Sequence, residues 1–250
     1  MRLDRNTILI TGGASGIGLA LARRFVRAGS TVVACGRRQE QLEQAQRECP
    51  GLRAVQCDVS VEAERAALVE RVTREFPGLN VLINNAGVQN RPPPLVETQD
   101  WSRHRSEIAI NLEAPMHLSM LLIPHLLQQE SPAILNVTSG LAFVPIAFMP
   151  TYCATKAALH SFTLSLRYQL KDTPVRVVEI VPPAVNTDLG GKGLHDAGVP
   201  LDEYADHAMA QIEKGELEFG YQFSEKGRLS SRKELDEVFT AMNERFSPRR

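Results

Sequence analysis

From Thr7 onward, short runs of β-branched or aliphatic residues alternate with longer amphipathic stretches, the pattern of repeated βα units. The runs predict strands at Thr7 to Ile10, Thr31 to Cys35, Leu52 to Cys57, Val81 to Asn84, Ala133 to Val137 and Val175 to Val181, with a weaker seventh at Leu217 to Phe223. Helical periodicity fills the gaps at Gly16 to Ala28, Arg38 to Glu48, Val61 to Phe76, Trp101 to Gln129 and Tyr152 to Lys171. Alternation this regular predicts an α/β fold: a doubly wound, mainly parallel seven-stranded sheet with helices on both faces, joined by right-handed crossovers. There is no short-period repeat, and Pro92-Pro93-Pro94 marks a loop before a long helix.

A chain of 250 residues with 43% hydrophobic content can bury one large core, so the expectation is a single domain over 1–250. Within it, the glycine-rich stretch 189–215 reads as a variable loop region beside the substrate, and 247–250 as a frayed tail. A formal net charge of -1 without a basic stripe indicates neither nucleic acid nor an anionic membrane as partner. The four cysteines, Cys35, Cys49, Cys57 and Cys153, form no CxxC pair, and no Cys/His cluster has metal-ligand spacing, so no metal site is expected. They read as reduced, mostly buried thiols. With no signal-peptide pattern and no apolar run near ~18 residues, a soluble cytoplasmic protein is expected.

Two places carry chemistry. Thr11-Gly12-Gly13-Ala14-Ser15-Gly16-Ile17-Gly18 follows the first strand and opens the first helix. Glycines there allow a sharp turn and close approach of backbone to a pyrophosphate, which the helix amino terminus attracts with unpaired N–H groups. The spacing differs from G-x-G-x-x-G, and no Gly-Lys-Ser/Thr follows, so a P-loop is excluded. At the end of the second strand, where an NAD-selective site would place a carboxylate, stand Gly36, Arg37 and Arg38. Cations in the first turn of a helix oppose its dipole, which favours an anionic ligand such as a 2'-phosphate, with Arg37 the better candidate. NADP(H) is therefore preferred, with NAD(H) possible.

At the other end, Tyr152 and Lys156 are four residues apart, which on a helix puts phenol and ammonium on one face. A lysine held there is expected to lower the tyrosine's pKa and fit it for acid-base work. Ser139 lies thirteen positions upstream, just past the fifth predicted strand, and Asn111 lies mid-helix near Pro115, where an amide otherwise reads as a local kink.

Taken together, Thr11 to Gly18, Asn84-Asn85-Ala86-Gly87, Asn111, Ser139 and Tyr152 to Lys156 make the chain resemble the short-chain dehydrogenase/reductase superfamily in its roughly 250-residue form, over nearly its whole length. The resemblance implies a Rossmann-like fold and a catalytic tetrad of Asn111, Ser139, Tyr152 and Lys156, with Asn111 holding a water that links Lys156 to solvent. It implies cofactor contacts from Gly12, Ser15, Gly16, Ile17 and Gly18, from Asp58 and Val59 at the adenine, and from Asn85, Ala86 and Gly87 at the adenosine-side ribose. Tyr152 and Lys156 would also meet the cofactor, and Val185 and Thr187 would contact the nicotinamide amide. Assembly as a homodimer or homotetramer through the long helices is implied as well. Within the superfamily, Asn136 to Pro145 and the double proline resemble a bacterial subgroup of oxidoreductases named for lipoteichoic-acid D-alanylation.

Two departures stand out. Pro182-Pro183-Ala184 replaces the usual Pro-Gly after the sixth strand, and Gly220 to Phe246 lacks the usual ending with paired glycines. Phe143, Pro145, Ile146 and Met149 offer an apolar wall, which suits a ketone, aldehyde or secondary alcohol of moderate size. His195 reads as a solvated loop residue, His104, His117 and His160 as helix-face residues, and Cys153 as a packed thiol. The expected activity is hydride transfer between nicotinamide and such a substrate; the alternative is a dinucleotide-sensing regulator without turnover.

Overall fold

The computed structural model describes residues 1–246. Its seven strands are β1 Thr7–Thr11, β2 Thr31–Gly36, β3 Leu52–Gln56, β4 Val81–Asn84, β5 Ala133–Val137, β6 Arg176–Val181 and β7 Glu218–Gly220. They form one sheet in the order β3-β2-β1-β4-β5-β6-β7, with every neighbouring pair parallel. The helices are α1 Gly16–Arg27, α2 Gln39–Glu48, α3 Glu62–Glu75, α4 Trp101–Ile108, α5 Ala114–Leu126, α6 Pro150–Gln169, α7 Leu201–Lys214, α8 Phe223–Leu229 and α9 Arg232–Phe246.

Alternate strand residues face opposite layers, so β1 divides its side chains between two cores. Ile8 and Ile10 pack with Leu21 and Phe25 of α1 and with Tyr204, Ala208 and Ile212 of α7. Leu9 packs on the other side with Leu68 and Val72 of α3, Leu118 and Leu122 of α5 and Leu166 of α6. The bottom of the central pair is clasped by two asparagines: Thr7 N–H donates to Asn80 Oδ1 at 2.9 Å, and Asn80 Nδ2 donates to Asn6 Oδ1 at 3.0 Å.

The expected long helix over 101–129 is instead three pieces. Asp100 caps α4 by accepting from the Ser102 N–H at 3.0 Å. The chain then widens into a π-helical turn, Ala109–Glu113, before α5. Pro115 has no N–H to give the carbonyl of Asn111 four residues earlier, so one rung of a regular α-helix is missing there and the wider turn is favoured. Helix α6 begins at Pro150, two residues before the expectation, because proline suits a first helical turn. The expected loop region 189–215 also needs correction: 201–214 is the core helix α7, closed by Gly215 in the left-handed region at φ +86. The predicted tail at 247–250 lies outside the described residues. Among the described residues no helix is long and apolar enough to cross a membrane.

Candidate active site

The glycine-rich turn owes its shape to the residue just past β4. Asn85 Nδ2 donates to the carbonyls of Thr11 and Gly12 at 3.0 and 3.2 Å, while Thr11 Oγ1 accepts from the N–H groups of Asn85 and Ala86, each at 3.0 Å. A Cβ on Gly18 would sit 2.4 Å from both Asn85 Nδ2 and the Gly12 carbonyl, so only glycine lets these segments meet. The Asn85 side chain is thus committed to holding the turn. Ala86 and Gly87 continue past it, Gly12 at φ +64 backs directly onto Ala86, and Gly16 faces the methyl of Thr187.

Helix α1 then starts without an internal partner for its first N–H groups. Ser15 at its N-cap makes no side-chain cap bond, and the first turn holds no acid. That leaves unpaired donors and the positive end of the helix dipole at an exposed position, the features an incoming pyrophosphate needs; Ile17 packs against the core behind them.

At the sheet edge, Arg37 and Arg38 are both exposed, and Arg38 is the N-cap of α2. Arg37 Nη1 lies 4.0 Å from Asp58 Oδ2, a loose pair of the kind that contributes little in water. Burial works against ionising Asp58, but hydrogen bonds from the Ser60 hydroxyl and N–H, with Arg37 nearby, hold its carboxyl below the ordinary value. Val59 is buried, with its carbonyl accepting from Arg65 at 2.7 Å.

At the reacting end, Ser139 leaves β5 in extended conformation and caps a short 3-10 turn, Gly140–Ala142, with Oγ accepting from the Leu141 N–H at 3.1 Å. Tyr152 rises from α6 into the same buried region, where Ser139 acts on its phenol and partly offsets the effect of burial on its pKa. Lys156 lies one turn further on, with Nζ 5.8 Å from the Tyr152 ring centre and 2.9 Å from the carbonyl of Val137. Asn111 completes the group through α4's π turn. Its Oδ1 accepts from the Val88 N–H and its Nδ2 donates to the Val88 carbonyl, both at 2.9 Å. A Cβ on Gly87 would lie 3.5 Å from Asn111 Oδ1 and 3.8 Å from Lys156 Nζ, so bare backbone separates the two side chains.

The electrostatics correct one expectation. Burial pushes the Tyr152 phenol well above its ordinary value; the Ser139 hydrogen bond opposes this, and Lys156 is not among the groups that lower it. Burial also takes Lys156 down to about 8. In the protein alone, Tyr152 is therefore a firmly protonated donor.

Other residues also sit differently from the sequence expectation. The Val185 side chain is buried in the core cluster with residues of α1 and α7. His195 is not solvated: it is half-buried and bonded to Gln89 at 3.1 Å, and burial, then Arg91, lowers its pKa. His104 is buried against Thr151 at 2.7 Å, His117 accepts from Arg65 at 3.0 Å, and His160 is paired with Glu179 at 2.8 Å. Cys153 packs beside Ile146 as expected.

Three further features have no counterpart among the sequence expectations. Glu107 is a buried carboxylate whose burial raises its pKa, with Oε1 accepting from the Asn90 N–H at 2.6 Å. Thr155 links Asn111 to the first turns of α6, accepting from Asn111 at 3.3 Å and donating to the Tyr152 carbonyl at 2.7 Å. Helix α9 closes over the apolar wall. Asn243 Oδ1 accepts from the Ala147 N–H at 2.6 Å, Asn243 Nδ2 donates to the Pro145 carbonyl at 3.1 Å, and Met242 packs on the cluster of Ile146, Met149 and Tyr152. A lone acid on an amphipathic helix gives no sequence signal, and α9 matters through a contact almost a hundred residues away.

The family model for short chain dehydrogenases matches residues 6–197. The chain is 44% identical over 248 residues to an uncharacterized oxidoreductase, DltE, of Bacillus subtilis (strain 168), covering 97% of this chain and 98% of that one. Among solved structures it is similar to a 3-ketoacyl-(acyl-carrier-protein) reductase from Brucella melitensis complexed with NADH, at TM-score 0.79 and 28% identity over 89% of this chain and 99% of that one. It is likewise similar to a short-chain dehydrogenase from Sphingobium yanoikuyae in complex with NADPH, at TM-score 0.78 and 28% identity over 98% and 97% of the two chains. The parallel sheet, the glycine turn held against β4 and the matches across the chain converge on one assignment: this protein belongs to the short-chain dehydrogenase/reductase superfamily, in its DltE-like subgroup.

Proposed function

We propose that the protein is an NADP(H)-dependent oxidoreductase of carbonyl-reductase or alcohol-dehydrogenase type, with Tyr152 as acid/base. The observation that carries this reading is the burial of Ser139 and Tyr152 together, with Ser139 acting on the phenol and the Lys156 ammonium beside its ring. Two converging O–H groups match the two lone pairs of a carbonyl oxygen. Bound nicotinamide supplies or takes the hydride. Tyr152, kept neutral by burial, gives its proton to the oxygen in reduction and is left as a phenolate; oxidation runs the same step backwards, starting from the phenolate, which takes the alcohol's proton. Ser139 holds a second hydrogen bond on the charge that develops at that oxygen. Lys156, tied to Val137, presents its charge to the cofactor's ribose side.

Residues fit for the cofactor are the α1 amino terminus with Gly12, Ser15, Gly16, Ile17 and Gly18, then Asp58 and Val59, the Ala86-Gly87 backbone, and Val185 with Thr187. The exposed Arg37 and Arg38 support NADP(H) over NAD(H) by offering charge for a 2'-phosphate. The cluster of Ile146, Met149 and Met242 supports an apolar carbonyl or secondary alcohol substrate. Exposed Met120, Leu164 and Tyr168 on α5 and α6 are consistent with a cytoplasmic homodimer or homotetramer. The test is a panel of ketones, aldehydes and secondary alcohols run with NADPH and with NADH. Turnover that prefers NADPH is expected; tight NADPH binding without turnover on any member would favour the dinucleotide-sensing regulator instead.

A further inference from the structure

Two pieces of chain that carry the reacting groups converge on one buried carboxylate, Glu179 of β6. Thr138, the residue before Ser139, donates Oγ1 to Glu179 Oε1 at 2.7 Å, and its N–H bonds the Ile180 carbonyl at 2.9 Å. His160, one turn beyond Lys156 on α6, places Nδ1 at 3.0 and 2.8 Å from the two carboxylate oxygens. The Phe143 ring, from the wall after Ser139, lies against the imidazole at 4.6 Å between centres. Glu179 is fully buried, and an unpaired carboxylate there would be prohibitively desolvated, so the arrangement needs both its partners.

We infer that the His160–Glu179 pair is a positioning device for the reaction, locking the turn that bears Ser139 onto the helix that bears Tyr152 and Lys156. The inference rests on the oxidoreductase reading above. Because Thr138 and Ser139 share a peptide unit, the strut fixes the serine hydroxyl relative to the phenol, and reactions of this kind fall off steeply with small misplacements. The charges facing the imidazole support the pairing. The hydrogen bond from Glu179 and then its charge, with that of Glu218 on β7, hold His160 above its ordinary value, against burial and Arg167. On the far side, Arg167 lies 3.5 Å and Arg228 of α8 lies 3.7 Å from Glu218, and Arg228 also pairs with Glu225 at 2.6 Å. His160, Glu179 and Glu218 have ligand atoms within 4.8 Å of one another, as a metal site would, but the two arginines already supply the positive charge a cation would bring.

The experiment compares Thr138→Val, His160→Gln and their double variant. Each single change is expected to lower kcat about tenfold or more, with substrate KM and NADPH affinity held within about threefold. The double is expected to be no slower than the worse single, since both act through Glu179, and Thr138→Ser should restore kcat to within about twofold of wild type. In parallel, the His160 imidazole is titrated by NMR in the intact protein: its raised pKa should return toward the ordinary value in Glu179→Gln. Fully additive losses, a loss of thermal stability with unchanged kcat, or an unshifted His160 titration would overturn the assignment. A change of wild-type kcat on adding zinc or EDTA would overturn it too, in favour of a metal site. The NMR arm needs no turnover, so a broken pair and a wrong reaction class give different results.

Discussion

Lys156 donates from Nζ to the carbonyl of Val137 at 2.9 Å, which ties the buried ammonium to the strand that runs into Ser139. Burial takes this lysine down to about 8, whereas an unfolded lysine keeps its proton to about 10.4. Below about 8 both states are charged and the folded one bears the full burial cost, on the order of 3 kcal/mol. Between the two values the unfolded chain binds a proton that the folded chain has released, so raising the pH favours folding. Denaturant unfolding of wild type and Lys156→Met should therefore converge as pH rises from about 8 to about 10.4, the wild type gaining. A pH-independent difference would contradict a depressed lysine.

Tyr152→Phe keeps the ring and its packing but removes the proton. We expect kcat to fall roughly 100-fold to 10,000-fold, with NADPH affinity within about threefold of wild type, by stopped-flow turnover and fluorescence binding. An active Tyr152→Phe enzyme would remove the proposed mechanism.

Arg37 is exposed and only loosely engaged with Asp58, so its charge is available to a phosphate. Arg37→Asp should lower the ratio of kcat/KM for NADPH over NADH by roughly 10-fold to 100-fold, an effect that shrinks at high salt. An unchanged ratio would move the assignment to Arg38.

Asn243 joins α9 to the Pro145–Ala147 segment through two hydrogen bonds. Asn243→Ala should raise the KM of a carbonyl substrate by up to roughly 30-fold, the equivalent of about 1 kcal/mol for each of the two bonds lost, while leaving NADPH binding alone. Equal losses on the substrate and cofactor sides, in steady-state kinetics, would mean that α9 serves the whole fold rather than the wall.

The strands were readable because each is a short apolar run flanked by turn residues, and Tyr152 and Lys156 because four-residue spacing has one meaning on a helix. The register of β1 to β6 departs from the expected runs by no more than a residue or so at each end. The break at Ala109–Glu113 was less readable: Pro115 was visible, but a proline alone does not say whether a helix kinks, ends or widens. Helix α7 was hidden by the glycine-rich stretch before it, and the roles of Asn85 and Asn243 by long-range bonds to backbone. Glu179 did leave a trace, a lone acid inside Val177-Val178-Glu179-Ile180-Val181, the mark of a buried charge with a partner elsewhere. His160, four residues past Lys156, supplied that partner on the face already identified.

The clasp between Asn6 and Asn80 joins residues 74 apart, and β1 and β4, which it aligns, are the two middle strands of the nucleotide cleft. Parallel neighbours cannot be zipped by a hairpin, so β1, α1 and β2 can condense early, while the centre of the sheet must wait for that whole intervening chain to be drawn in. The glycine turn shares that dependence: it cannot take its final shape before the central seam closes, because Asn85 arrives only with β4.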